Sequence, residues 1–337
     1  MYNLAGVTRS RRGRAAGAGA GGAAAYIARS RDALTRTHTP VNQRTQARLQ
    51  IVAAAMLFST GGAAIKATVL TSWQVASFRS GVAALVVLLL VPAARRGWTW
   101  QALPVGVAYA GTMVLFVLSN KLTTSANAIF LQSTFPLYVL LLGPLLLHER
   151  IRARDVAFMA VVAAGLACFF VGTQRPLTTA PDPMKGNVLA LLSGIFWALT
   201  VMGLRWMGSR GGDGNGALPT VVTGNAIAFA ICFWPAMPVV GAGAADWAVI
   251  AYLGVFQIAL AYVFVTRGIR HVPAFEASTL LLAEPALNPV WAWLVHGERP
   301  GAWAIAGGTL VLGATAAKTW WDSRSTPVAE HIAGTPD

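Results

Sequence analysis

Apolar runs of about twenty residues recur along the chain from Leu49 to Trp321, with few charged residues between them. A bilayer core is about 30 Å thick, so a crossing helix needs roughly 20 mostly apolar residues. Helices suit such runs because lipid offers no hydrogen-bond partner to the backbone. Charged residues make up 11% of the chain, against roughly 25% in soluble proteins. The sequence therefore predicts an all-α polytopic membrane protein.

Ten apolar windows can be separated by charges and turn-forming residues, and we number these predicted spans S1 to S10. In the first half they cover 49–66, 73–92, 101–120, 123–146 and 154–172. In the second half they cover 186–207, 217–239, 246–266, 273–295 and 300–320. The predicted domains are two five-helix repeats, 49–172 and 186–320, joined by a proline-containing linker, 173–185. Residues 1–48 are expected to form a disordered basic cytoplasmic tail, and part of this segment is a candidate product of a misplaced start codon. Residues 321–337 are expected to form a second cytoplasmic tail.

Basic residues are distributed unevenly over the loops between these spans. With the N-terminus inside, one side carries only Lys66, Lys121, Arg175, Lys185 and Arg299. Of the 26 basic residues, all the others except Arg79, which lies within S2, fall on the cytoplasmic side. This bias follows the positive-inside rule, and one miscounted span would exchange the sides of every later loop. We expect ten spans, both termini cytoplasmic, and a multi-pass protein of a bacterial-type cell membrane.

The net charge of +14 comes from residues in the tail and short loops. Positive charge in those places faces lipid headgroups, so membrane lipids are the expected partner and nucleic acid is not.

A proline followed by a Glu-Arg pair occurs twice. Pro136 precedes Glu149 and Arg150, and Pro285 precedes Glu298 and Arg299 at the same spacing. This repetition indicates a duplicated chain, and five spans per half place the two halves in opposite orientations across the membrane. Inverted repeats are typical of secondary transporters, whose substrate sites lie near the midplane between the halves. The Glu-Arg pairs lie at span ends, where the carboxylate is expected to accept hydrogen bonds from the following helix and form a structural hinge or latch.

Several segments of the chain resemble an EamA-type carrier of the drug/metabolite transporter superfamily. The second half carries Ala259-Leu260-Ala261-Tyr262, Arg267, Ala274, Glu284-Pro285 and Gly297-Glu298-Arg299. The first half is similar through Lys66, Phe78-Arg79, Pro136 and His148-Glu149-Arg150. The resemblance implies a ten-helix carrier with a central cavity, moving amino acids, other metabolites, nucleotide-linked sugars or toxic compounds, often outward. The halves differ, because Phe135 stands where the second half has Glu284.

Charged residues within spans are costly in lipid and therefore indicate a cavity or a functional pair. Glu284 precedes Pro285 near the middle of S9 and is a candidate for binding a cationic group or carrying a proton. Arg79, within S2, is a candidate for pairing with Glu284 or holding a substrate carboxylate. The alternatives are a purely structural ion pair for Glu284 and snorkelling to the interface for Arg79.

Uncharged polar and aromatic residues complete the predicted site. Interhelical hydrogen bonding is the ordinary role of polar residues in spans, and the candidates that could instead line the cavity are Gln132, Asn225, Asn288, Trp197 and Tyr262. Asn120 and Gln257 are assigned only the ordinary role. Asn127 and Glu276 stand at the same distance before Pro136 and Pro285, so we expect them, with Lys66, at the mouths of the pathway.

Catalytic and metal-binding patterns are missing from the sequence. It has no G-x-S-x-G, no H-E-x-x-H and no Walker motif, and so predicts no enzyme, cofactor or metal site. A secondary transporter of a small metabolite, amino-acid-like or drug-like solute is the principal prediction, with export favoured and protons as a candidate coupling ion. The alternatives are a non-transporting receptor or assembly subunit and a lipid-linked sugar flippase. Small residues four apart, Ala304-Gly308 and Gly313-Ala317, permit internal packing or a homodimer.

Overall fold

The computed structural model describes residues 40–146, 153–171, 176–210, 217–269, 271–272 and 274–325. Most of the predicted N-terminal tail, the His148-Glu149-Arg150 segment and residues 326–337 lie outside the described residues. Residues 40–46 begin the first helix, and the chain from Ala47 onwards forms one structural unit.

Helices occupy each of the ten predicted windows. They are α1 Pro40–Ser59, α2 Gly61–Lys66, α3 Ser72–Leu90, α4 Ala102–Leu122, α5 Ser125–Gln132, α6 Phe135–Leu146, α7 Ala153–Val171, α8 Pro183–Arg210, α9 Ala217–Phe233, α10 Ala244–Tyr252, α11 Ala261–Gly268, α12 Ala274–Leu281, α13 Ala283–His296 and α14 Ala302–Ser325. A π-helix, Leu253–Leu260, joins α10 to α11. Apart from an isolated bridge between Leu177 and Ala180, the regular structure of the described ranges is helical.

Seven helical segments in the described chain are long and apolar enough to cross a membrane. They are Gln43–Lys66, Ser72–Leu90, Ala102–Leu122, Ser125–Leu142, Ala153–Val171, Pro183–Leu204 and Ala244–Gly268, and Ala217–Phe233 is a shorter apolar helix. The predicted all-α polytopic membrane protein is therefore confirmed.

Two of the predicted spans, S4 and S9, are each interrupted just before the repeated proline. Helix α5 ends at Gln132 and α12 ends at Leu281, and the repeated prolines, Pro136 and Pro285, lie in the first turn of the helix that follows each. Proline has no backbone N–H and cannot continue the hydrogen bonding of a preceding turn. Each copy of the proline thus follows a break in the helix of its own half.

Helices α7 and α14 cross closely because each contributes a glycine to the contact. A Cβ atom added to Gly307 would lie 2.7 Å from the carbonyl oxygen of Gly165 and 2.8 Å from the Phe169 ring. Gly313, on the same helix, has no atom within 4 Å of the equivalent position in the described structure.

We predict that Gly307→Val destabilises the protein and that Gly313→Val does not. Overpacking at a tight contact costs about 1–3 kcal/mol, whereas both substitutions change helix propensity equally. Thermal unfolding of the purified variants in detergent, followed by tryptophan fluorescence, measures the difference. Equal melting temperatures for the two variants would contradict the described packing of α7 on α14.

Candidate transport site

A buried ion pair joins the end of α2 to the loop after α13. Lys66 Nζ lies 2.7 Å from Glu298 Oε1, and the two side chains are 4% and 2% exposed. The ammonium group also donates to the carbonyl oxygens of Thr123, at 2.7 Å, and Thr179, at 2.6 Å. Glu298 Oε2 accepts a hydrogen bond from the backbone N–H of Ser125, at 2.8 Å. Each charge is therefore compensated by its partner and by further hydrogen bonds, as a buried ion requires.

This arrangement corrects one expectation about the Glu-Arg pair. The carboxylate of Glu298 accepts from the first residue of α5, in the other half of the chain, and not from the following helix α14. Sequence proximity favoured the following helix, but Lys66 draws the carboxylate towards α5. Arg299 is exposed, as expected for a residue at an interface.

A second polar cluster surrounds Arg79, which is only 1% exposed on α3. Its Nη2 donates to the carbonyl oxygen of Met113, at 3.0 Å, and its Nη1 lies 3.5 Å from Gln257 Oε1. Its Nε has no partner in the described structure. Burial rules out the snorkelling alternative, since the guanidinium would then reach the interface. Gln257 lies in the π-helix, and such irregular turns occur frequently at functional sites.

Tyrosines continue this cluster. The rings of Tyr109 and Tyr262 lie 5.5 Å apart, and Phe58 packs edge-on against Tyr262 at 5.2 Å. Asn225 donates to the Tyr109 hydroxyl at 3.1 Å. The cluster thus contains Arg79, Asn225 and Tyr262, which were predicted, together with Tyr109 and Gln257, which were not assigned to the site.

Glu284, on α13, and Arg79, on α3, both lie within electrostatic range of Tyr262 on α11. The predicted Arg79–Glu284 ion pair does not form, and within the part of the chain that is described no cation pairs with Glu284. Glu284 is partly exposed. A guanidinium and a carboxyl group therefore both interact with one tyrosine without a direct bond between them.

The other predicted residues lie in separate groups. Gln132 donates to Ser193 Oγ at 2.7 Å, and Trp197 packs edge-on against Phe135, with ring centres 6.2 Å apart. Asn127 contacts Asn187 Oδ1 at 3.2 Å and belongs to the end where Lys66 pairs with Glu298.

Glu276 pairs with Arg48, and this contact is partly exposed. It joins the start of α12 to the N-terminal half of α1.

Asn288 lies in a third polar group, at the interruption of S1 after Ser59. A Cβ atom on Gly62 would lie 2.8 Å from Asn288 Oδ1, 2.9 Å from Ser125 Oγ and 3.0 Å from Asn120 Oδ1. The neighbouring Gly61 faces Gln257, whose Nε2 would lie 2.8 Å from its Cβ. Gly62 therefore contacts the Asn288 group, and the adjacent Gly61 contacts Gln257 of the Arg79 cluster. Because neither glycine has a side chain, both polar groups can pack closely against this part of α2.

The model of the EamA-like transporter family matches this chain twice, over residues 46–171 and 184–318. Two curated relatives, both pseudopaline exporters CntI of Pseudomonas aeruginosa, from strains UCBPP-PA14 and PAO1, are 27% identical over 270 residues. Each alignment covers 78% of this chain and 92% of the relative. A solved structure described as "Crystal structure of protein" has 18% identity and a TM-score of 0.56, covering 84% of this chain and all of that one. That likeness shows the fold alone.

We predict that Lys66→Met and Glu298→Gln each lower the free energy of unfolding by about 3–5 kcal/mol, because each removes one partner of a buried ion pair. The double variant should lose less than the sum of the two, since neither charge then remains uncompensated. Denaturant titration in mixed micelles measures all three.

Arg48→Met and Glu276→Gln provide a matched control at an exposed pair, with an expected effect of about 0–1 kcal/mol. Equal losses at the two pairs, or additive losses at Lys66 and Glu298, would contradict the compensation described above.

Proposed function

Because the chain belongs to the EamA-like transporter family, we propose that this membrane transporter exports a small amino-acid-like metabolite by alternating access. The family match points to transport rather than catalysis, and two curated relatives are exporters. The observation that carries the choice of substrate class is that Arg79 and Glu284 both lie within electrostatic range of Tyr262 without an ion pair between them.

A zwitterionic solute fits these two charges. The guanidinium of Arg79 can hold a carboxylate bidentately, and Glu284 can accept hydrogen bonds from an amino group. Arg79 is buried, so its interaction with a carboxylate contributes more than it would at the surface. Tyr262 and Tyr109 supply aromatic walls, and Asn225 and Gln257 orient Tyr109 and Arg79. In this proposal Glu284 also carries a proton when the substrate leaves.

The proposed membrane arrangement has ten spans, two inverted repeats and both termini in the cytoplasm, with α1–α2, α5–α6, α10–α11 and α12–α13 each forming one span. Contacts support it. Lys66, Thr123, Thr179 and Glu298, all assigned to the non-cytoplasmic side, meet at one place. Arg48 with Glu276, and Lys318 with Asp155, join span ends assigned to the cytoplasmic side.

The Lys66–Glu298 pair is proposed as the closed outer mouth of this carrier. It links α2, α5 and the α13–α14 loop, and those elements must separate for a solute to leave outward. Asn127 belongs to this mouth and Glu276 to the opposite one, as the duplication suggests. Alternating access then requires the two ends to open in turn.

The flippase alternative is less well supported. It calls for a lateral opening lined by basic residues, whereas the described groove between α2, α10 and α13 is lined by Thr60, Ala63, Ala64, Ala67, Val249, Trp291 and Val295. We also propose that a homodimer, if formed, uses Gly313 and Ala317 as its contact surface. The other pair of small residues is occupied, because Gly308 packs against Phe130 within the chain. Protein-dependent flux in liposomes separates a carrier from a non-transporting receptor or assembly subunit.

We predict the membrane sides of single cysteines introduced into a chain carrying Cys168→Ala and Cys232→Ala. Leu177→Cys should react with an impermeant maleimide in intact cells, whereas Trp98→Cys and Trp321→Cys should react only after permeabilisation. The native side chains are similarly exposed, at 48%, 49% and 58%, so access to the reagent depends on the membrane side. Labelling of Trp98→Cys or Trp321→Cys in intact cells would overturn the ten-span arrangement.

We predict that Arg79→Gln and Glu284→Gln reduce counterflow of an amino-acid substrate in proteoliposomes. The substrate is first identified by growing an overexpressing strain on amino acids and toxic compounds. Losing one hydrogen bond to a charged group costs about 1.5–3 kcal/mol, or roughly 10- to 100-fold in affinity. Glu284→Gln should also flatten the pH dependence of the rate.

Asp182→Asn is the control, because it removes an exposed carboxylate whose hydrogen bond is to the backbone N–H of Lys185 and not to the cluster. The wild type should prefer amino acids over their amides, and Arg79→Gln should lose that preference. Unchanged counterflow and pH dependence in Glu284→Gln would reject its proposed role.

A further inference from the structure

Three side-chain oxygens from three different helices converge on Gly62. They are Asn120 Oδ1 from α4, Ser125 Oγ from α5 and Asn288 Oδ1 from α13, all within 3.0 Å of the position that a Cβ on Gly62 would occupy. The three side chains are 0% exposed. Only glycine leaves room for them, since any larger residue would fill the space where the oxygens meet.

These oxygens lack hydrogen-bond partners. Asn120 Oδ1, Ser125 Oγ and both polar atoms of the Asn288 amide are buried and unpaired in the described structure. Leaving a buried polar group unpaired costs about 1–3 kcal/mol, so several together at one place require an explanation. The orientation of Asn120 is determined by its amide nitrogen, which donates to the Phe116 carbonyl oxygen at 2.9 Å. Its oxygen is therefore the atom that faces Gly62.

We infer that Asn120, Ser125 and Asn288 bind a monovalent cation, with Na⁺ as the ion that we propose. Hard cations take oxygen ligands, and an uncharged set of amide and hydroxyl oxygens suits a single positive charge. Glu298, which is linked to the site through the backbone N–H of Ser125, is compensated by Lys66. In secondary transporters such ions bind where membrane helices are interrupted, and S1 and S9 are interrupted close to this group, at Thr60 and Leu282.

The cation site is connected to the Lys66–Glu298 pair through two short links. The backbone N–H of Ser125 donates to Glu298, and Gly62 belongs to the same short helix, α2, as Lys66. An ion held between α2, α4, α5 and α13 would therefore stabilise the arrangement in which this pair is closed. The inference concerns ion binding and stands apart from the identity of the exported solute.

The test uses the purified full-length protein in detergent, without any organic solute. Its melting temperature is measured while NaCl replaces choline chloride at constant ionic strength. A ligand that binds only the folded state stabilises it in a saturable manner, so Na⁺ should raise the melting temperature to a plateau. Ser125→Ala and Asn288→Leu should raise the half-saturating Na⁺ concentration at least about tenfold, as loss of a partner at an ion site does.

Ser119→Ala is the matched control, because Ser119 is equally buried but bonds to Phe116 in its own helix. It should retain the full response. Asn288→Leu should also be more stable than the wild type in choline, since it removes unpaired polar atoms, which distinguishes loss of the ion from misfolding. Identical melting in NaCl and choline, or a wild-type Na⁺ response in both site variants, would overturn the inference and leave a water-filled pocket.

Discussion

The ion pair between Lys66 and Glu298 connects the parts of this fold that lie far apart in sequence. A charge transferred from water into a low-dielectric interior is stable only with a close partner and further hydrogen bonds. Lys66 and Glu298 satisfy that condition jointly with Thr123, Thr179 and the N–H of Ser125. The demand for compensation therefore brings both halves of the chain and the linker between them to one end of the protein.

The same rule applied to Arg79 and Glu284 has a different outcome. Arg79 is buried against a carbonyl oxygen and an amide, and Glu284 makes no ion pair with it or with another cation of the described chain. A transporter needs such incompletely compensated groups, because the substrate supplies the missing partner. In the proposed mechanism the Lys66–Glu298 pair, which is compensated internally, serves as a closure, whereas the Arg79 cluster receives its missing partner from the substrate.

The duplication explains which features are shared and which are specialised. Both halves interrupt a helix immediately before the repeated proline, since proline limits backbone hydrogen bonding in any environment. Glu284 and Phe135 occupy equivalent places at these interruptions, and Phe135 packs on Trp197. The backbone device is thus common to the halves, while the charge that would contact a substrate is present in only one.

The amino-acid sequence by itself determined the helical membrane fold, because the absence of water in lipid makes every long apolar run adopt a helix. It also selected Glu284 and Arg79 as candidates for the site, since charges within apolar runs are costly wherever they point. The sequence did not determine which side chains contact one another across helices. The pairing of Lys66 with Glu298, the inclusion of Tyr109 and Gln257 in the cluster, and the convergence of Asn120, Ser125 and Asn288 on Gly62 all depend on how separate helices pack. Only the tertiary structure decided those contacts, because local periodicity reports which face of a helix is apolar but not which helix lies against it.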